Sequence, residues 1–265
     1  MTNTPSREWN AAVYHQISAP QVSWGKKVLA RVSLRGDETI LDAGCGTGRL
    51  TRDLLEALPH GKVVALDVSQ NMIDAARAYL VPDFGDRVEF VACDFLHMPF
   101  DARFDGIFST ASFHWVRDHQ ALFQGLYRTI RPGGWLVAQC GGAKNLERFL
   151  ARIDALLRMP PYAAYFGESF FPWEFSSAET AATRLKQAGF EQIETSVEEA
   201  PTKFSTSAEF QQFVESVILH RHLERIPDPD VCRALMEEVT RQAAAGDPPF
   251  LLDYWRLNLQ ARRPR

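Results

Sequence analysis

Three glycines at alternate positions form the strongest chemical signal in the chain. Gly44, Gly46 and Gly48 follow a short apolar run, residues 39–43, in the sequence TILDAGCGTGR. Glycine tolerates positive φ and lets a ligand approach the backbone closely, so the pattern predicts a strand that enters a nucleotide-binding loop ahead of a helix. A glycine-rich loop alone does not identify the nucleotide, which has to be judged from the residues around it.

The glycine loop has two interpretations, which differ in the kind of nucleotide ligand that it binds. A dinucleotide fold uses the pattern GxGxxG, in which the third small residue packs the helix against the strand and the first helical turn faces a pyrophosphate. Arg49 stands at the third position here. The spacing therefore disfavours NAD and favours a ligand without a pyrophosphate, although an NAD-dependent oxidoreductase stays open as an alternative.

An aspartate stands at or near the end of each of the next two apolar runs. Asp67 stands near the end of residues 63–68, and Asp94 directly follows residues 88–93. Ligands of parallel sheets bind outside the carboxyl ends of the strands, so we expect both side chains to face the same site as the glycine loop. The alternatives are that Asp67 only caps the next helix and that Asp94 is an ordinary turn residue.

Strands and helices alternate between residues 39 and 140, which predicts an α/β fold in which helices cover both faces of a parallel sheet. The predicted strands are 39–43, 63–68, 88–93, 104–110 and 135–140, and the predicted helices between them are 50–58, 70–80 and 119–130. Ser69 is expected to cap the helix that follows it, and residues 131–134, RPGG, are expected to form a turn.

The two ends of the chain are expected to add helices and two further strands. Helical spacing and a break at Pro20 predict two short helices within residues 1–35. Further helices are predicted at 146–157, 178–188, 207–223 and 230–245, with strands at 190–197 and 251–260. We interpret residues 1–265 as one domain with an N-terminal helical lid (1–35), a core (36–200 and 250–262) and a helical cap insertion (201–249).

Composition excludes several classes of protein. The chain has 265 residues, 46% of them hydrophobic, and a net charge of −4, which argues against a general binder of nucleic acid or of anionic membranes. The four cysteines form no CxxC pair, so neither a metal site nor a disulfide framework is predicted. No stretch resembles a signal peptide or a membrane span, and we expect a cytoplasmic protein. The oligomeric state is left open.

The motifs resemble those of the class I S-adenosylmethionine-dependent methyltransferases. The resemblance is carried by LDAGCGTG at 41–48, then in order by ALDVSQNMIDAA, VACDF, FDGIFSTASFHW and RPGGWLVAQ. The nearest resemblance is to the branch that includes trans-aconitate 2-methyltransferase and the malonyl carrier-protein methyltransferase. It implies a Rossmann-like, seven-stranded, mostly parallel sheet with a helical cap, in which YWRLNLQARRP forms an antiparallel last strand.

The resemblance also implies S-adenosyl-L-methionine as cofactor and S-adenosyl-L-homocysteine as product. In this family Asp67 would accept hydrogen bonds from both ribose hydroxyls, and Asp94 would accept one from the adenine amine. Met72 and Phe95 have packing in the core as an equal alternative. The residues that the resemblance places on the cofactor are Asp42, Gly44, Cys45, Gly46, Gly48, Asp67, Val68, Met72, Asp94, Phe95 and Thr110.

The motifs indicate fewer residues for the site of the methyl acceptor than for the cofactor. His114, just past the fourth strand, is the candidate general base, and packing of Phe113, His114 and Trp115 is the alternative. An acceptor carboxylate is already ionised and needs no base, whereas a hydroxyl, an amine or a carbon acid does. The candidate substrate contacts are Tyr14, Trp24, His114, Trp115 and Arg221.

The predicted function is methyl transfer to a small molecule, with a carboxylate as its narrower form. The NPPY-type tetrad of enzymes that methylate amino groups of DNA and protein glutamine is absent after the fourth strand, where residues 109–112 read STAS. We therefore expect no nucleic-acid substrate. Two alternatives remain: a protein that binds S-adenosylmethionine without transferring its methyl group, and a natural-product N- or C-methyltransferase.

Overall fold

The structure is a computed structural model that describes residues 8–167 and 170–265, which form two compact units. The first unit contains the described residues up to Ala143 together with Glu174–Glu198 and Arg256–Arg265. The second contains the described residues of Lys144–Trp173 and of Glu199–Trp255.

Helices and strands alternate along most of the chain. Through the end of the fifth strand the elements are α1 (Ala11–Ile17), α2 (Ala19–Leu29), β1 (Thr39–Ala43), α3 (Arg49–Ala57), β2 (Lys62–Asp67), α4 (Gln70–Phe84), β3 (Val88–Ala92), β4 (Phe104–Thr110), α5 (His119–Thr129) and β5 (Ile130–Gly141). They are followed by α6 (Glu147–Leu157), α7 (Ala163–Phe166), α8 (Ala178–Gln187), β6 (Glu191–Glu199), β7 (Thr202–Lys203), α9 (Ser207–Phe213), a π-helical turn (Val214–Ile218), α10 (His220–Leu223), α11 (Pro229–Ala244), β8 (Leu251–Leu252) and β9 (Trp255–Arg262).

Among the described residues, seven strands form one sheet in the order β3-β2-β1-β4-β5-β9-β6. β1 pairs in parallel with both β2 and β4, whereas β9 is antiparallel to β5. The strand order reverses at β1, which opens a crevice at the carboxyl ends of β1 and β4. The predicted Rossmann-like fold with an antiparallel last strand is confirmed.

Apolar side chains of the strands alternate between the two faces of the sheet, because successive residues of a strand point to opposite sides. Ile40 and Val63 belong to the core on one face, with the buried positions of α3 and α4. Leu41 and Val64 belong to the core on the other face, with those of α5 and α8. Burial on both faces fixes the register of β1 and so fixes where the glycine loop begins.

Local signals set most element boundaries. The Ser69 hydroxyl accepts a hydrogen bond from the Met72 N–H at 3.3 Å, as expected of a helix N-cap. The predicted end of this helix at residue 80 is wrong, because α4 continues to Phe84 with Pro82 inside it. Proline keeps helical φ and removes one donor, so a final turn tolerates it.

The predicted turn at residues 131–134 lies inside one long strand. Phe104 pairs with Ile130 and Gly106 pairs with Trp135, so the four residues between Ile130 and Trp135 bulge out opposite Asp105. Gly133 has φ +81°, a conformation that favours glycine. The RPGG motif therefore interrupts β5 without ending it.

The prediction of a single strand at 251–260 is wrong. The chain forms two strands there: β8 pairs with β7, and β9 enters the large sheet. Asp253 separates them, and its carboxylate accepts hydrogen bonds from the N–H groups of Arg148 and Phe149, at 2.8 and 3.3 Å. Asp253 thus caps α6, which requires the backbone to leave the β8 ladder at this residue.

The proposed lid, core and cap correspond only in part to the two compact units, since Lys144–Trp173 groups with Glu199–Trp255. The lid and cap therefore remain proposals, and the first seven residues of the lid lie outside the described residues. No helix within residues 8–167 and 170–265 combines the length and apolar character needed to cross a membrane.

Candidate active site

A cavity of about 320 Å³ lies in the first unit at the carboxyl ends of the parallel strands. Its wall includes every residue predicted to bind the cofactor except Gly48. The cavity is lined by Trp9, Tyr14, Ser18, Gln21, Val22, Asp42, Gly44, Cys45, Gly46, Thr47, Arg49, Leu50, Asp67, Val68, Met72, Asp94, Phe95, Leu96, Thr110, Ala111, Ser112, Trp115, Val116, Arg117 and Asp118.

The glycine loop can take its shape only without side chains at two positions. Gly44 has φ +86°, and a Cβ there would lie 2.0 Å from the Ser112 Oγ, so alanine cannot be accommodated without movement. Gly46 has φ +53°, and the nearest atom to its would-be Cβ is a ring carbon of Tyr14 at 3.8 Å. The loop thus presents open backbone to the cavity, which is the feature that lets a ligand approach the main chain closely.

Asp67 ties the loop to the end of β2. Its Oδ2 accepts a hydrogen bond from the Gly46 N–H and its Oδ1 accepts one from the Ser69 N–H, both at 3.0 Å. Burial raises the pKa of this carboxyl group, and the backbone N–H donors oppose the rise. Each carboxylate oxygen can accept a second hydrogen bond, so the group retains the capacity to receive a ribose diol.

Asp42 is the deepest carboxyl group of the cavity, with 2% of its surface exposed. The Thr51 hydroxyl donates to its Oδ2 at 2.6 Å. Burial raises the pKa of Asp42 to about 7, the Thr51 hydrogen bond lowers it, and the charge of Asp67 adds to the rise. A cationic ligand beside Asp42 would favour the ionised form, as the positively charged methionine end of S-adenosylmethionine would.

The end of β3 supplies a carboxylate and an aromatic ring. Asp94 Oδ1 accepts a hydrogen bond from the Leu96 N–H at 2.8 Å and so caps the 3₁₀ turn Phe95–His97. Its other oxygen stays available to a ligand donor. Phe95 belongs to the apolar core and also lines the cavity, so its contact with the cofactor stays a prediction.

Aromatic side chains from separate segments form one wall of the cavity. The Trp9 ring contacts the rings of Tyr14 and Trp115 edge to face, with centroid distances of 5.8 and 5.4 Å. Burial, with the nearby charge of Asp67, raises the pKa of Tyr14 to about 12. Its hydroxyl is therefore neutral over the physiological range and able to donate a hydrogen bond.

Cys45 lines the cavity as a neutral thiol. It is buried, and burial raises the pKa of its thiol well above the ordinary value. A nucleophilic cysteine needs thiolate character, which this environment opposes. Cys45 is therefore a small, unreactive residue of the cavity wall.

Gly48, Trp24 and Arg221 are not among the residues that line the cavity. Gly48 begins α3 with φ +84°, and a Cβ there would lie 2.8 Å from a Leu80 methyl carbon, so this glycine serves helix packing. The Trp24 ring lies under the Arg256 guanidinium, 4.5 Å from its centroid. Arg221 belongs to the second unit.

His114 also lies outside the cavity wall. Its Nδ1 accepts a hydrogen bond from the Gly141 N–H at 3.2 Å, and its ring packs beside Trp115 and Phe175. An Nδ1 that accepts a backbone N–H is not available to remove a proton. The geometry favours the packing interpretation, and a base role for His114 remains a proposal that this hydrogen bond opposes.

Several wall residues are not among the predicted site residues. The clearest is Gln21, which interrupts the apolar stripe Ile17, Trp24 and Val28 on the N-terminal helices at helical spacing. A polar residue within an apolar stripe was the available signal. Ala111, the predicted alternative to Thr110 beside the methyl channel, also lines the cavity. The cavity residues absent from the predicted site are Trp9, Ser18, Gln21, Val22, Thr47, Arg49, Leu50, Leu96, Ser112, Val116, Arg117 and Asp118.

Comparisons with known proteins agree with this geometry. Residues 40–134 match a family model described as a methyltransferase domain. The chain is 29% identical over 195 residues to an uncharacterized methyltransferase of Schizosaccharomyces pombe, covering 70% of this chain and 72% of that protein. It is 36% identical over 132 residues to trans-aconitate 2-methyltransferase of Acidovorax ebreus, covering 50% and 49%.

The chain therefore spans about half the length of the trans-aconitate relatives that it matches. Among solved structures, Haemonchus contortus phosphoethanolamine N-methyltransferase 2, in complex with phosphomonomethylethanolamine and S-adenosylhomocysteine, superposes with a TM-score of 0.64 at 18% identity. That match covers 100% of this chain and 58% of the other, and at this identity it bears on the fold alone.

Proposed function

We propose that the chain is a class I S-adenosylmethionine-dependent methyltransferase that transfers the methyl group of S-adenosylmethionine to a small molecule, and specifically to a carboxylate. The match of residues 40–134 to a methyltransferase domain and the similarity to trans-aconitate 2-methyltransferases support this proposal. The observation that carries the proposal is the cavity, where carboxyl groups from the ends of β1, β2 and β3 meet an open glycine loop. Asp42, Asp67 and Asp94 are spaced along one sheet edge, as an extended adenosine ligand requires.

Bound S-adenosylmethionine supplies a methyl group on a sulfonium: the methyl carbon bonds to an acceptor oxygen as its bond to sulfur breaks, leaving a methyl ester and S-adenosylhomocysteine. Asp67 would hold the ribose and the loop around Gly44 the methionine end. The chain need supply no nucleophile, since an in-line displacement is accelerated by positioning and by exclusion of water. Trp9, Tyr14 and Trp115 supply the apolar wall that keeps water out.

Two features favour a carboxylate as the acceptor. Arg49 and Arg117 bring positive charge to a cavity whose carboxyl groups are needed for the cofactor. The Nδ1 of His114, the base candidate, is engaged by the Gly141 N–H. An ionised carboxylate needs no base, whereas a phenol or an ammonium group does. The named activity of the trans-aconitate relatives agrees with this choice.

A methyl-transfer screen tests the proposal. Purified protein with S-adenosylmethionine would be offered small carboxylates, including trans-aconitate, as well as phenols and amines. Mass spectrometry would follow the acceptor and S-adenosylhomocysteine. We expect a gain of one methyl group on a carboxylate, matched by S-adenosylhomocysteine. Transfer only to phenols or amines would contradict the carboxylate, and cofactor binding with no transfer to any acceptor would contradict the transferase.

A further inference from the structure

Gln21 places a buried amide in the cavity wall without a protein partner for its oxygen. Its side chain lies on α2, 7% of the residue is exposed, and it lines the cavity. Its carboxamide oxygen is fully buried and accepts no hydrogen bond from any residue that the structure describes. Such atoms are rare in folded proteins, because burying a polar group without a hydrogen-bond partner lowers the stability of the fold.

The position of Gln21 on the helix shows which part of the cavity it faces. Ser18, Gln21 and Val22 have the i, i+3, i+4 spacing of one helix face, and all three line the cavity. α2 packs against β4, whose last residue Thr110 is also in the wall. The polar groups matched to the cofactor come from the ends of β1 to β3. The N-terminal helices supply a different wall, shared with Tyr14.

We propose that Gln21 binds the methyl acceptor and holds the group that receives the methyl. The inference rests on the proposed transfer to a carboxylate. The group of this carboxamide that can meet a carboxylate is its Nε2 donor, because the unpartnered oxygen is an acceptor and is fully buried. Facing a carboxylate, the amide donates from Nε2 to one carboxylate oxygen and leaves the other to attack.

The chain offers a matched control for this amide. Gln120, on α5 in the same unit, also has a buried carboxamide oxygen without a partner among the described residues. It does not line the cavity. Replacing either glutamine by leucine removes a buried amide, but only Gln21→Leu removes one that faces the ligand.

The experiment is a titration that needs no turnover. Protein saturated with S-adenosylhomocysteine would be titrated calorimetrically with small carboxylates, trans-aconitate first, for the native chain, Gln21→Leu, Gln21→Glu and Gln120→Leu. A hydrogen bond to a charged group corresponds to about a 10- to 100-fold change in affinity. We expect carboxylate affinity to fall by at least about tenfold in Gln21→Leu and further in Gln21→Glu, where two negative charges repel.

Two controls separate the possible outcomes. S-adenosylhomocysteine affinity should stay within about twofold in both Gln21 variants, and Gln120→Leu should match the native chain in carboxylate affinity. Unchanged carboxylate affinity in Gln21→Leu, loss of S-adenosylhomocysteine affinity to the same extent, or no carboxylate binding to the native chain would each overturn the inference. Carboxylate binding that depends on Gln21 without methyl transfer would support it while contradicting the proposed transferase.

Discussion

Two cavities in the described part of the first unit lie at opposite ends of the parallel strands, and their polar groups are arranged differently. The cavity at the amino ends of the parallel strands has a volume of about 270 Å³ and includes Arg35, Glu38, Asp105, Arg131 and Arg262 in its wall. Both oxygens of Glu38 accept backbone N–H groups, and both oxygens of Asp105 are bonded, one by Arg131 and one by the Thr39 N–H.

The cavity at the carboxyl ends keeps unused bonding capacity. Asp42 and Asp94 each have one oxygen bonded by a described residue, and the Gln21 oxygen has none. Charged residues line both cavities, so charge alone does not distinguish a binding site from a structural one. The difference lies in the oxygens of Asp42, Asp94 and Gln21 that the described residues leave unbonded. Asp67 is the exception at this edge, because both of its oxygens already accept a backbone N–H and a ribose would have to add a second hydrogen bond to each.

The largest expected effect is from Asp67→Ala. Losing two charge-assisted hydrogen bonds to the ribose is expected to weaken S-adenosylmethionine binding by about 1000-fold, or about 4 kcal/mol. Isothermal titration would measure it, with circular dichroism to confirm folding. Asp105→Ala is the matched carboxylate at the other edge and should leave this affinity unchanged. Equal losses in the two variants would remove the distinction between the cavities.

Two glycines with positive φ provide the next contrast. In Gly44→Ala the new Cβ would meet Ser112, whereas in Gly133→Ala it would lie 3.4 Å from the nearest atom, in Arg265. We expect Gly44→Ala to lower the free energy of unfolding by about 3 kcal/mol, from strain and overpacking, and Gly133→Ala by about 1 kcal/mol, from strain alone. Urea denaturation would measure both. A smaller loss in Gly44→Ala would mean that the loop is not tightly held.

Asp42 makes cofactor binding depend on pH. Its pKa is raised to about 7, so below pH 7 the cation of the ligand can ionise it only by displacing a proton. We expect S-adenosylmethionine affinity to fall by about tenfold for each pH unit below 7, down to pH 5. Titrations at pH 5, 6, 7 and 8 would measure this. Asp42→Asn should abolish the slope, and an equal slope in that variant would exclude Asp42 as its cause.

The same carboxyl group affects stability in the opposite direction. A raised pKa means that the folded chain holds a proton that the unfolded chain releases between about pH 4 and pH 7. This contribution to stability is complete below pH 4 and is lost as pH rises through 7. A cationic ligand should restore stability above pH 7, where Asp42 is ionised.

The smallest effect is expected at the amino edge. Asp105→Ala removes a partly exposed ion pair with Arg131 and the partner of the Thr39 N–H, which together should lower the free energy of unfolding by about 1 kcal/mol. Thermal denaturation would measure the change. If S-adenosylmethionine raised the melting temperature of Asp105→Ala less than that of the native chain, this edge would contribute to the binding site after all.

The sequence predicted the elements that its own motifs define. β1 and β4 have the predicted bounds, because Gly44 directly follows β1 and the polar residues Ser109 and Thr110 end β4. The strand predicted at 251–260 was wrong because Asp253 leaves it to cap α6, a contact more than a hundred residues away in sequence. Long-range partners of this kind leave no local pattern.

The site likewise contains residues that the sequence could place and residues that it could not. Asp42, Asp67 and Asp94 follow strands and could be placed at one edge from topology alone. Gln21 comes from α2 and Trp9 from the segment that precedes α1, and no motif specifies how either packs onto the sheet. His114 stands near the site in sequence, yet its ring turns to the Gly141 N–H. The sequence position of His114 indicated that it lies near the site, but it did not indicate which way the imidazole ring points.

The central claim is that the carboxyl-edge cavity binds a sulfonium cofactor and not a dinucleotide. Parallel isothermal titrations of the native chain with S-adenosylmethionine and with NADH test it most directly. We expect one equivalent of S-adenosylmethionine to bind, with no heat of binding from NADH. Saturable binding of NADH without binding of S-adenosylmethionine would contradict the account.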